Sequence, residues 1–183
     1  MFDYKMYFDK YCKDNRLHLK ISFNMPSGYE TANGMFNFET KTVFINAPYL
    51  SDVAEYKKAF YLFHELRHAS QYLNPEQFSD EINHSIQYTI MYDGTCYKLV
   101  NGKYLECKLD GDEEYFTNLY LGQPYEMDAN TFAYEEVKKI YGDSEELRKM
   151  YESCIPPQPI SRELYESTFA MIDEKLSNSG LSR

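Results

Sequence analysis

The stretch FHELRHAS, Phe63 to Ser70, holds two of the four histidines in a chain of 183 residues. Its reading decides the rest. Ala59, Leu62, Phe63, Leu66, Ala69, Ser70 and Leu73 recur at the three- and four-residue spacing of an amphipathic helix. Ser51 and Asp52 are the N-cap candidates before it, and Asn74-Pro75 stops it. On that helix His64 and His68 lie one turn apart on one face, so both imidazoles can reach one point. Glu65 is rotated roughly a quarter-turn from His64, beside that point rather than on it.

Two imidazoles one turn apart and an adjacent carboxylate form the set that binds a tetrahedral zinc ion and uses its water. Zinc lowers the pKa of bound water to about 7, and Glu65 stands where it can take the proton. His64 and His68 are therefore candidate metal ligands and Glu65 the candidate catalytic base. The plain alternative is a polar face of an ordinary helix carrying two histidines.

A catalytic zinc site needs a third protein ligand and one open position. Glu126 is the favoured candidate, because Asn130 follows it by one helical turn and could orient a ligand imidazole. His84, on the helix expected next, and Asp128 or Asp93 are the other candidates. His18 lies in the first strand. Asp128 projects from a different side of its helix than Glu126. Donors for a tetrahedral oxyanion are His84, Tyr120 and Tyr125.

The motif HELRH at 64–68, followed by EMDANTFA at 126–133, resembles the gluzincin metallopeptidases, in which HExxH is completed by a glutamate in an ExxxD/N helix. With ANGMFNFETKTVFINAPYL before it, the chain from about Ala32 to Ala133 looks like the ImmA/IrrE-type zinc peptidase-like family. The resemblance implies zinc on His64, His68 and Glu126, Glu65 as base, and a single regulatory protein as substrate. Arg67 departs from a frequent glycine, and Asn130 stands where many gluzincins have aspartate.

Around this centre the chain alternates elements. Residues 1–15 read as a helix. LHLKISF, residues 17–23, alternates as a strand, and MFNFETKTVFIN holds two more, of which Thr42–Asn46 is the stronger. That strand offers either a free edge for an extended peptide or an internal position. A helix is expected from about Glu76 to Tyr88. CYKLVNGKYLECKL is a hairpin turning on Asn101-Gly102, which sets Cys96 opposite Cys107 as packing thiols. Asp110, Asp112, Glu113 and Glu114 read as a solvated loop. GQPYEMDANTFAYEEVKKIYG is a helix between Pro124 and Gly142. Asp143 or Ser144 opens a short helix, residues 155–160 form a proline-rich spacer, and Ser161 caps a last helix to about Leu176. SNSGLSR reads as a frayed end.

Composition bounds the function. A net charge of −10 argues against non-specific nucleic-acid binding, which needs a basic footprint. No apolar run is long enough for a signal peptide or a membrane span, so a cytoplasmic location is expected. The four cysteines are scattered without a CxxC. The expectation is a single α+β, zincin-like domain over 1–183, its active-site helix and glutamate helix packed on a small twisted sheet with an inserted β-hairpin. It would hydrolyse a peptide bond in a protein or peptide substrate with Zn²⁺. The alternative is a zinc-binding interaction protein of the same fold that cleaves nothing.

Overall fold

The computed structural model describes residues 2–179; Gly180 to Arg183, the end of the expected frayed tail, lie outside the described residues. The chain is α+β, with two small sheets and helices before, between and after them. Its contacts group into two compact units. The first comprises Met1–Phe78 and Asp128–Glu152, the second Ser79–Met127 and Ser153–Arg183.

In the first unit, helix α1 (Tyr4–Asp14) opens on Asp3, whose side chain accepts the Met6 N–H. Three short strands follow: β1 (Lys20–Ser22), β2 (Gly34–Asn37) and β3 (Thr42–Ile45). Their order is β1-β3-β2, with β1 parallel and β2 antiparallel to β3. The stretch expected to offer either an edge or an internal strand is internal: β3 has a partner on both sides, and Val43 and Ile45 are fully buried. The edge strands are β1 and β2.

Helix α2 (Glu55–Leu73) carries both histidines. It begins after Ala54, which makes no side-chain cap, so Ser51 and Asp52 belong to the preceding turn rather than to the helix end. Its buried stripe of Ala59, Leu62, Phe63, Leu66 and Ala69 is the one expected from spacing, and it ends at Asn74. A 3-10 turn, Pro75–Gln77, follows.

In the second unit, the helix expected over 76–88 shrinks to α3 (Asp80–Ser85), capped by Ser79. The reason is competition from a sheet. Tyr88–Ile90 forms strand β4 and pairs antiparallel with β5 (Thr95–Val100), which pairs with β6 (Lys103–Lys108). The β5–β6 register is the expected one, with Cys96 opposite Cys107, and the turn takes positive φ at Asn101 (50°) and Gly102 (77°). The buried amide of Gln123 serves β4 like a further strand, accepting from Ile90 N–H and donating to the Tyr88 carbonyl.

The acidic run is not wholly a loop. Asp112 accepts the Tyr115 N–H and caps helix α4 (Glu113–Gly122), and Glu113 and Glu114 occupy its first turn, where carboxylates favour the helix dipole. Helix α7 (Arg162–Asn178) starts at the Ser161 cap, as expected, and covers the sheet with Phe169, Ile172 and Leu176. Helix α5 (Pro124–Tyr141) starts in the second unit and runs through the first, with Pro124 at its start and Gly142 at φ 82° beyond its end. Helix α6 (Glu145–Glu152) follows, its Leu147 N–H bonded to Ser144. Among the described residues no helix is long and apolar enough to cross a membrane.

Candidate metal centre

One turn of α2 brings the histidines together. The Nε2 atoms of His64 and His68 stand 2.9 Å apart, and the rings meet edge to face at 4.5 Å. His64 also stacks on the buried Phe60 ring at 6.4 Å. His68 is buried and His64 partly so.

Clamping by α5 completes the group. Asp128 on α5 accepts from Arg67 of α2 at both carboxylate oxygens, Nε at 2.7 Å and a terminal nitrogen at 2.9 Å. Such a two-point pair fixes orientation as well as distance. The Arg67 guanidinium lies between the Phe78 and Phe132 rings, 4.5 and 4.8 Å from their centres. Burial alone would disfavour its charge; the hydrogen bond and charge of Asp128 outweigh it and raise the pKa. Because Glu126 and Asp128 are two residues apart on one continuous helix, this clamp sets where Glu126 stands. One ligand atom each from His64, His68 and Glu126 then lie within 4.8 Å of one another.

These three residues are close enough to hold a metal ion. Two imidazole nitrogens and a carboxylate oxygen are a donor set for a divalent transition metal. Metal–nitrogen bonds near 2.0–2.1 Å at a tetrahedral angle need nitrogens about 3.3 Å apart, so the imidazoles need separate by only a few tenths of an ångström.

The favoured third residue is thus in the group, and the other candidates are not. His84 is exposed on α3, with its ring against Tyr88 at 5.6 Å and Phe169 at 5.4 Å. Asp93 pairs with Lys108 at 2.8 Å, and His18 is exposed just before β1. Asp128 is engaged by Arg67. It stays out of the ligand group, as its helix position suggests, yet it reaches the Nδ1 side of His68: its Oδ2 also accepts from the Gln71 amide at 2.8 Å, and Gln71 Oε1 meets His68 Nδ1 at 2.8 Å. Asn130 is buried one turn past Glu126.

Sequence reading overlooked Gln71 and the use of Arg67. A signal was present: Gln71 lies three residues past His68 and four past Arg67, on the same helix face. Nothing in the sequence says that this face meets Asp128.

Glu65 is also buried, with 7% of its surface exposed. It packs on Gly34, the first residue of β2, where an added Cβ would lie 2.9 Å from Glu65 Cγ and 3.2 Å from its Oε1. Among the oxyanion candidates, Tyr120 feels the charge of Glu126 first and burial second, which together push its phenol well above its ordinary pKa. Its ring lies 4.6 Å from that of Tyr92. Tyr125 is buried, and its N–H donates to Ser85.

Comparison with protein-family models, with curated proteins and with solved structures finds no match.

Proposed function

We propose that the chain is a zinc-dependent metallopeptidase of zincin-like fold that hydrolyses a peptide bond in a protein substrate. The observation that carries this reading is the convergence of the His64 and His68 Nε2 atoms and the Glu126 carboxylate on one point. The resemblance of HELRH and EMDANTFA to the gluzincin pattern, and of the longer stretch to the ImmA/IrrE-type family, favours the same chemistry.

In this reading His64, His68 and Glu126 hold Zn²⁺, which supplies a Lewis acid and a water acidified to a pKa of about 7. Glu65 accepts a proton from the attacking water and delivers it to the leaving amine. Its burial against Gly34 holds the carboxylate in place and limits competing solvent. Tyr120, near enough to Glu126 to feel its charge, is the favoured donor to the developing oxyanion. An extended peptide adding to the β2 edge would run along the strand that begins at Gly34.

The test is metal analysis of the purified protein together with cleavage of a mixed peptide library by the wild type and Glu65→Gln. Both proteins should retain zinc, and only the wild type should cleave. Hydrolysis by Glu65→Gln at the wild-type rate would show the assigned base to be wrong. Zinc retained without cleavage by the wild type would identify a zinc-stabilised interaction protein instead.

A further inference from the structure

We infer that Gln71 and Asp128, braced by Arg67, are positioning residues that lock His68 in the Nδ1–H tautomer and so present its Nε2 lone pair to a divalent metal ion. The inference rests on the metal reading above and adds Gln71, together with roles for Arg67 and Asp128 that the motif does not assign.

The chain of hydrogen bonds has only one consistent direction. An ionised carboxylate only accepts. Asp128 Oδ2 lies 2.8 Å from the Gln71 side-chain nitrogen, so the amide must face it with its NH₂. Gln71 Oε1 is thereby turned toward His68, 2.8 Å from Nδ1. A carbonyl oxygen accepts, so Nδ1 must carry the proton. In a neutral imidazole the other nitrogen, Nε2, is then an acceptor. The opposite amide orientation would set the Gln71 oxygen against the Asp128 carboxylate, two acceptors with no proton between them.

Asp128 is held against turning. Arg67 bonds both its oxygens, and two aromatic rings hold the guanidinium in place. Gln71 is 1% exposed, so water does not compete for its amide. With His68 Nε2 an acceptor, the 2.9 Å contact between the two Nε2 atoms assigns the proton in it to His64. His64 must release or relocate that proton when a metal arrives, whereas His68 is already in the ligating form. The two histidines of the motif are therefore not equivalent, although their spacing makes them look so.

Two measurements test this. In metal-free, ¹⁵N-labelled wild type, long-range proton–nitrogen correlation of the histidine rings should show His68 as the Nδ1–H tautomer. Zinc affinity, measured by competition with a chromophoric chelator, should fall about 10- to 100-fold in Gln71→Leu. An Nε2–H tautomer at His68 in wild type would overturn the inference even if Gln71→Leu failed to fold. So would unchanged zinc affinity in a folded Gln71→Leu. A wild type that binds no zinc would overturn both this inference and the metallopeptidase reading; zinc binding with the wrong tautomer would overturn the relay alone.

Discussion

Gly34 and Glu65 are packed so closely that only a residue without a side chain fits between the β2 backbone and the carboxylate. A Cβ at position 34 would meet Glu65 Cγ at 2.9 Å and the Phe44 carbonyl oxygen at 3.0 Å. The carbonyl is backbone of the central strand, so Glu65 is the group that must give way. Gly34→Ala should therefore displace the carboxylate and lower peptide hydrolysis at least about tenfold, as a misplaced general base does, while zinc stays bound. The check is cleavage rate against zinc content on the same preparation. Loss of metal together with activity would show that the glycine supports the fold rather than the base.

Glu126 and His84 were both candidates to complete the ligand set, and their surroundings now differ. A ligand that binds only the folded state stabilises it by about 2.7 kcal/mol at a hundred times its Kd. Zinc should raise the melting temperature of the wild type and of His84→Ala by the same amount. That shift should vanish or shrink sharply in Glu126→Ala. Differential scanning fluorimetry with and without added zinc reads the comparison directly, and an unchanged shift in Glu126→Ala would remove Glu126 from the site.

The Arg67–Asp128 pair should matter for stability as well as for orientation. Its side chains are 26% and 20% exposed, against 70% and 73% for the Lys149–Glu145 pair on α6. Removing one partner of a largely desolvated pair leaves the other charge uncompensated, at a cost of about 3 kcal/mol, whereas an exposed helix pair contributes well under about 1 kcal/mol. Urea unfolding should find Arg67→Ala strongly destabilised and Lys149→Ala near wild type. Equal effects of the two substitutions would rule out a bracing role for Arg67.

All four cysteines are free thiols and should stay protonated at neutral pH. Burial pushes Cys96 up to about 12 and Cys12, with Asp9 adding, up to about 11; burial also raises Cys107 and Cys154. The buried Cys96 thiol donates to the Gly94 carbonyl, which needs its proton. Thiol counting at pH 8 should show slow reaction in the native protein and rapid reaction of every thiol in denaturant. The sign for stability follows from the raised values. The contribution of the buried thiols is whole below about pH 9 and is lost as pH rises through the folded value, because the unfolded thiols ionise first. A Cys96 that alkylates rapidly at pH 8 without unfolding would contradict this.

Much of the fold was legible because it rests on local rules. The α2 stripe, the Asn101-Gly102 turn and its register, the Ser161 cap and the α5 boundaries each follow from spacing or backbone preference within a few residues. Strand β4 was not legible. Tyr88 and Ile90 suit either a helix end or a strand, and the decision came from β5 and from the Gln123 amide, partners distant in sequence. Helix α4 was obscured for a different reason: its acidic first turn reads as a solvated run unless Asp112 is recognised as a cap.

For the candidate centre, the sequence by itself determined that two imidazoles and a carboxylate share one helical turn, because helix geometry leaves residues four apart no other arrangement. It also favoured Glu126 by its chemistry and its place in a helix. Only the tertiary structure decided that α5 meets α2 there, through a charge pair braced by two aromatic rings, and that Asp128 reaches His68 through Gln71. Helix periodicity orients a side chain about its own axis. It says nothing of which neighbouring helix that face will meet, and hydrogen-bond direction is set by the neighbour.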